Sequence, residues 1–393
     1  MGGAIISSHP FNKNKPTKIY SKMELKVNRK TALDALLGVA QVASKNSTLP
    51  ILESVKVNVR IDGTIVFTAF DLEVSVMRKI KVADSFESPI DFCLNPRDMA
   101  SILKTIKDEE IALDVDSDRC VIKHTKGEVS LPVLPAVDFP EISKDEVQGK
   151  AFVDSETLFE WLKNAVKFVG NDKLRPVING VYMYVDGTEF GVAASDGKVL
   201  FTNNHDLGGY PMNVNGVLGS KAVSPLLDMI NATENVTVSF GEKMLSFRTE
   251  NSMLSCIKPV GAFPKFKMLL QTRPDVTKIR IDKVDLIDSV ARTKMTARID
   301  TYLLRLSVQN DTLGVSSEDL MFSKKSKEVC SSEVNGPSGF DIGVNGDNFL
   351  DCLNAVGSDT VEIEMDGPKK AIYIYDDDAP NKRILCMPLL LVS

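Results

Sequence analysis

Three aspartates invite a chemical reading first. Asp71 closes VFTAFD (66–71), Asp196 closes GVAASD (191–196) and Asp319 closes GVSSED (314–319), at separations of 125 and 123 residues. Carboxylates brought together hold divalent cations. These three recur within nearly the same letters, which sets them at equivalent points of separate units, each capping a turn through backbone amides. Other chemistries find less support. GVLGSKA (216–222) has glycine and lysine but lacks the Gly-Lys-Ser/Thr order of a phosphate loop. The six cysteines, Cys93, Cys120, Cys256, Cys330, Cys352 and Cys386, form no CxxC pair. His9, His124 and His205 stand far from any cysteine cluster, so zinc is not expected. No serine or cysteine has an evident histidine partner for nucleophilic catalysis. The expectation is a protein with no catalytic residue, no metal and no cofactor.

The elements around these turns repeat as well. Amphipathic helices are predicted at ALDALLGVAQVA (32–43), TLFEWLKNAVKFV (157–169) and DLIDSVARTKM (285–295), with Asp154 and Asp282 as caps upstream of the second and third. A second set is predicted at NPRDMASILKTI (95–106), GSKAVSPLLDMI (219–230) and NGDNFLDCLNAV (345–356). Asn95, Ser220 and Asn345 are its polar starts, and Pro96 suits a first helical position. LPAVDFP (134–140) and KPVGAFP (258–264) repeat a proline loop, and MP at 387–388 stands near the end of the chain. Between them VKVNVRIDGTIVFTAF and VYMYVDGTEFGVAA alternate in the manner of hairpins with Asp-Gly turns.

One unit of about 124 residues is therefore written three times. The fold class is α+β: three tandem similar domains, each with two helices packed on antiparallel sheet. The boundaries read as 23–146, 147–272 and 273–393, after a disordered leader or cloning remnant over 1–22 that carries four lysines and no acid. Units joined in line form an arc with exposed strand edges at its ends, and two arcs meeting head to tail close a ring.

The chain has 393 residues, 43% hydrophobic and 25% charged, with a formal charge of −6. That balance argues against a protein that coats nucleic acid with a basic surface, while leaving room for a local basic lining. Scattered cysteines in a chain of this size suit reduced thiols in the cytoplasm. No apolar run approaches the ~18–20 residues of a membrane span, so no membrane association is expected.

With these landmarks in place, the residues resemble a known family. MELKVNRKTALDALLGVAQVASKNSTLPILESVKV, with TLPIL at 48–52, resembles the start of the bacterial sliding clamp, the β subunit of DNA polymerase III. LRPVINGVYMYVDG…VAASDGKVL resembles its middle domain, FPKFKMLL its connecting loop and CMPLL its closing motif, all in order from Met23 to Ser393. The resemblance implies a homodimeric ring of six similar domains around double-stranded DNA. It also implies a non-catalytic accessory subunit that tethers the replicative polymerase, the clamp loader and repair factors, in the cytoplasm on nucleoid DNA. A three-domain structural or adhesion protein is the alternative.

Carried over residue by residue, the resemblance implies three surfaces. A cleft for a short peptide bearing leucine and phenylalanine would be walled by Arg175, Ile178, Ser195, Gly197, Lys198, Val199 and Leu200. Pro264, Met268 and Leu269 would follow from the loop, and Leu385, Met387, Pro388 and Leu389 from the C-terminus. Lys198-Val199 stands where the family commonly has His-Arg, and Met268 where it has arginine. The DNA-facing candidates are Lys30, Lys45, Arg97, Lys104, Lys107, Lys163, Lys167, Lys221, Arg292 and Lys294, with Asn46 in place of a more usual basic residue. For the dimer contact, Val129 and Leu131 would meet Met295 and Thr296 of the second copy.

Overall fold

The computed structural model describes residues 23–391 apart from 45, 46, 48, 144, 232 and 272–275. The leader, Lys45 and Asn46 therefore lie outside the described residues. Elements run β1 (Met23–Asn28), α1 (Arg29–Ala40), β2 (Val55–Val59), β3 (Thr64–Phe70), β4 (Val74–Lys81), β5 (Ile90–Leu94), α2 (Pro96–Thr105), β6 (Glu110–Val115), β7 (Arg119–His124), β8 (Gly127–Pro132) and a short β9 (Leu134–Pro135). The series restarts with β10 (Val147–Asp154), α3 (Ser155–Ala165), β11 (Gly180–Gly187), β12 (Glu189–Ser195), β13 (Val199–Asp206), β14 (Met212–Gly219), α4 (Ser220–Ile230), β15 (Asn235–Gly241), β16 (Met244–Arg248) and β17 (Ser252–Ile257). It restarts again with β18 (Thr277–Asp282), α5 (Lys283–Lys294), β19 (Leu303–Val308), β20 (Thr312–Asp319), β21 (Lys324–Asn335), β22 (Phe340–Asn345), α6 (Gly346–Asn354), β23 (Thr360–Met365), β24 (Ile372–Asp376) and β25 (Arg383–Cys386). Apart from β9, the same order of strands and helices is written three times.

The local signals act where they are written. Asp154 accepts from the Thr157 amide at 2.8 Å and Asp282 from the Asp285 amide at 2.8 Å, each satisfying an orphan N–H of its helix. Asn28 does the same for α1 at 3.0 Å. Asn95 accepts from the amides of Arg97 and Asp98, and Asn345 from that of Asn348. Ser220 is a correction. It is the first residue of α4, and Gly219 is the cap, with no side-chain bond. The cap position is the last residue of the strand, as it is at Asn28, Asp154, Asp282 and Asn345, and in β14 that residue is Gly219, which has no side chain to accept an amide. The Asp-Gly turns need a left-handed residue, and Gly63 (φ 80°) and Gly187 (φ 66°) supply it. Asp196 accepts from the amides of Lys198 and Val199, and Asp319 from those of Met321 and Phe322, as turn caps do.

The chain forms two compact units. One holds the described residues up to Asp71 with Met77–Glu141; the other holds Leu72–Val76 with those from Ile142 onward. In the first, β1, β6, β7 and β8 form an antiparallel sheet ending at β8. Strands β3, β2, β5 and β9 form another antiparallel run, and α1 packs on α2. The buried core includes Leu25, Leu36, Leu52, Phe67 and Leu103.

In the second unit β10, β15, β16 and β17 form one antiparallel run. A sheet of twelve strands follows the order β14-β11-β12-β13-β25-β24-β23-β18-β21-β20-β19-β22. Its middle joint is the antiparallel pair β13–β25, with Val199 opposite Cys386 and Leu200 opposite Leu385. The second and third repeats thus share a ladder of backbone hydrogen bonds. The helix pairs α3–α4 and α5–α6 each pack together, over cores holding Phe168, Phe201, Phe240 and Phe349.

Candidate functional site

The β13–β25 joint builds a cleft from three distant stretches of chain. Strand β13 brings Val199 and Leu200, with Ser195, Gly197 and Lys198 in the turn before it. Strand β25 brings Leu385, and the tail after it Met387. The loop 263–269 closes one side with Phe263, Pro264, Lys265, Phe266 and Leu269, while Arg175 and Ile178 close another. The cavity so formed measures about 290 Å³. Its floor is apolar: Leu200 and Leu385 pack with Tyr184, Ala193, Phe266 and Tyr373.

Hydrogen bonds fix each wall. The Tyr373 hydroxyl donates to the Leu269 carbonyl at 2.8 Å, pinning the loop to β24. Tyr182 stacks on Phe263 with centroids 4.7 Å apart and planes 7° from parallel. Asp172 accepts from Arg175 Nε at 2.8 Å, which holds the Asp172 carboxyl below its usual range, and Asn179 braces the same loop by accepting from the Asp172 amide at 2.7 Å. The Met387 amide donates to the Lys198 carbonyl at 2.8 Å, carrying the tail onward from β25. An apolar floor with fixed walls and polar groups at the rim can seat an extended apolar peptide. Bond-making chemistry has no evident machinery in it. Across the chain, burial pushes the thiols of Cys93, Cys120 and Cys256 up to about 12, which suppresses the thiolate.

Eleven of the fourteen residues expected at the cleft line it together. Met268 does not. It lies 67% exposed on the far side of the loop, beside Tyr182, Tyr184 and Asn213 in a neighbouring hollow of about 490 Å³. Pro388 and Leu389 also fall outside the lining, because the Leu389 amide bonds to the Gly343 carbonyl at 2.8 Å and draws the tail over β22. Phe263, Lys265 and Phe266 are lining residues that the sequence reading missed. Their loop, FPKFKMLL, was in view, but a loop has no period that tells which side chains turn inward.

The basic candidates on the helices divide into two groups. Lys30, Lys104, Lys107 and Lys167 are exposed and form no ion pair among the described residues. The rest are committed elsewhere. Arg292 grips Glu328 through Nε at 2.9 Å and Nη2 at 2.7 Å, and Lys294 meets Asp347 at 2.6 Å. Lys221 pairs with Glu73 at 2.6 Å and Lys163 with Glu160 at 3.4 Å. Arg97 is half-buried and donates to the carbonyls of Ala43 and Ser44. Asp351 on α6 is held above its usual range by burial, with Lys167 close enough to oppose the shift. The third repeat thus presents the weakest positive face.

Residues 23–143 match the model of the DNA polymerase III beta subunit, N-terminal domain, and residues 273–390 that of its C-terminal domain. The two matches together span well over half of the chain. It belongs to the DNA polymerase III beta subunit family. Among its relatives, the beta sliding clamp of Salmonella typhimurium is 23% identical over 371 residues, covering 94% of this chain and 100% of the relative. That of Escherichia coli K12 is 24% identical over 374 residues, with the same coverage. The solved DNA polymerase III subunit beta from Pseudomonas aeruginosa, bound to griselimycin, shares the fold with a TM-score of 0.89 at 21% identity, over 94% of this chain and 100% of that one.

The last surface of this family member concerns edges. Val129 and Leu131 lie half-buried on β8, the end strand of its sheet. Met295 is 75% exposed after α5, but Thr296 turns inward, its hydroxyl 2.6 Å from Ser317 Oγ and 2.9 Å from the Thr293 carbonyl. Beside it the turn Leu320-Met321-Phe322 is exposed at 82%, 80% and 68%. Among the described residues the first half of β21 pairs only with β20, whereas Ser332–Asn335 pair with β18. Three consecutive exposed apolar residues were visible in the sequence, yet exposure is what tertiary structure alone reveals.

Proposed function

We propose that this chain is a DNA sliding clamp: an accessory, non-catalytic subunit that encircles double-stranded DNA in the cytoplasm and tethers the replicative polymerase and other replication and repair factors. The supporting observation is one architecture written three times in a member of the beta subunit family, with an apolar cleft at the joint of its last two repeats. We assign the repeats to domains 23–146, 147–272 and 273–393. The cleft would take the leucine and phenylalanine of a partner peptide. The clamp loader would use the same surface.

Ring closure follows from the joint already formed. Strand β13 and the first half of β21 hold the same place in their repeats, as do β25 and β8. Val129 and Leu131 are half-buried where their counterparts on β25, Ile384 and Cys386, are buried by pairing. Laying β8 of a second copy beside β21 as β25 lies beside β13 covers that edge, with Met295 and Leu320–Phe322 flanking it. Following the ladders from Val199–Cys386 and Thr202–Arg383 puts Lys324 opposite Leu131 and Lys327 opposite Glu128 of the second copy. Two such contacts close a homodimer and leave no free end.

A closed ring stays on DNA because it must open to leave, so its contacts with phosphate can be weak enough to permit sliding. Lys30, Lys104, Lys107 and Lys167 are the residues best placed for them. The test is retention on nicked circular DNA after loading by the clamp loader, before and after the circle is cut. Loss on linearisation is expected. Equal retention on both forms would mean plain electrostatic binding and would refute the topological link.

A further inference from the structure

The cleft is apolar at its floor, but its rim carries charge of one sign. The lining includes Arg175, Lys198 and Lys265, and no aspartate or glutamate is among the lining residues. These cations differ in availability. Arg175 is matched by Asp172 at 2.8 Å. Lys198 and Lys265 are exposed, one on the β12–β13 turn and one on the loop, and neither forms an ion pair among the described residues. The nearest carboxylate in sequence, Asp196, is turned onto the amides of Lys198 and Val199 at 2.7 and 2.9 Å and is not among the lining residues. Lys267, one residue beyond the lining, is already bridged to Asp186 at 2.6 Å and Glu189 at 3.2 Å. Two exposed ammonium groups therefore stand among the lining of one apolar cleft, on a chain whose formal charge is −6.

We infer that the cleft selects peptides carrying acidic side chains beside their apolar anchors, with Lys198 and Lys265 as the specificity-determining residues. This rests on the peptide-binding reading and narrows its ligand class. The apolar anchor supplies affinity by burial on the Leu200–Leu385 floor. The lysines discriminate among flanking residues, since complementary charge at an interface contributes mainly to specificity and encounter rate. Exposed ion pairs give roughly 1.5–5-fold each, and screening weakens them as salt rises.

The test uses three fluorescent peptides with the same leucine–phenylalanine anchor, flanked on both sides by Asp, Asn or Lys, titrated at low and at high salt. The Asp-flanked peptide is expected to bind roughly 5–20-fold more tightly than the Lys-flanked one at low salt, with the ratio falling toward one at high salt. In the Lys198→Glu, Lys265→Glu double variant the ratio should invert. Folding of that variant is checked independently by its unfolding midpoint, followed through the single tryptophan, Trp161, which is 8% exposed on α3. Equal affinity for Asp and Lys flanks, or an acid preference that survives the double variant, would overturn the inference. If the Asn-flanked peptide also failed to bind, the cleft assignment itself would fall, which is a different result from binding without charge preference.

Discussion

Asp376 and Lys382 form a buried ion pair whose removal should loosen the strand that carries the cleft. Asp376 ends β24 and is 3% exposed; Lys382 lies in the turn before β25 and is 8% exposed. The Asp376 carboxylate accepts from Lys382 Nζ at 2.6 Å and from the amides of Gly357, Ser358 and Asp378 at 2.6, 3.2 and 3.1 Å. Lys382 also donates to the Ala355 carbonyl at 3.0 Å, so the pair ties the end of α6 to the β24–β25 hairpin. Burial works against ionisation of Asp376, but the Gly357 amide and the Lys382 ammonium outweigh it and bring its pKa from 3.8 to about 2. That difference corresponds to about 2.5 kcal/mol in favour of the folded state. Because the folded value is the lower one, the contribution is complete above pH about 4 and is lost as pH falls toward 2. Asp376→Asn leaves Lys382 charged, buried and unmatched, and breaking such a pair costs roughly 3–5 kcal/mol. Urea unfolding at pH 7 should therefore show a loss of about 3 kcal/mol, and the gap from the parent should narrow as the pH is lowered below 4. Amide exchange at Gly357 and Ser358 should accelerate. The double change Asp376→Leu, Lys382→Met should recover part of the loss, since an apolar pair carries no stranded charge. A single variant within 1 kcal/mol of the parent at pH 7, or a gap that stays constant down to pH 2, would refute the reasoning.

Other expectations follow from the same contacts. Glu128→Lys should weaken the dimer about tenfold, because like charges then face each other at both joints, and adding Lys327→Glu should restore it; light scattering across a dilution series reads both. Lys104→Ala and Lys107→Ala should each lower the salt slope of DNA binding by about 1. Arg292→Gln, which breaks the grip on Glu328, should leave that slope unchanged and lower the unfolding midpoint instead. Gly343→Ala would set a methyl group 2.5 Å from the Leu389 carbonyl, so the tail should detach from β22. Peptide affinity is then expected to drop several-fold while the dimer mass stays constant, and undiminished affinity would show that the tail's docking does not support the cleft.

Much of the fold was legible because its determinants are local. Asn95, Asp154, Asp282 and Asn345 cap helices through amides two or three residues away, so their spacing is the mechanism. Gly63 and Gly187 act within a single turn. Where the local rule failed, at Ser220, the expected cap lay one residue too late: the cap position falls on the last residue of β14, Gly219, which has no side chain to offer.

The cleft lay at the limit of what sequence offers. Resemblance brought Ile178, Leu200 and Leu385 together, but no periodicity joins residues so far apart in the chain. Their meeting depends on the register of β13 against β25. Charge was less legible still. Arg292 and Lys294 look like solvent-facing helix cations until Glu328 and Asp347, from other elements, arrive beside them. Sequence by itself determined the threefold repeat, the helix ends and the turns, since these rest on interactions between neighbours along the chain. Tertiary structure decided which cations stay available, which apolar turn stays bare and which side chains share one slot. Those outcomes depend on distances in space, and the order of residues leaves such distances open until the sheet registers are set.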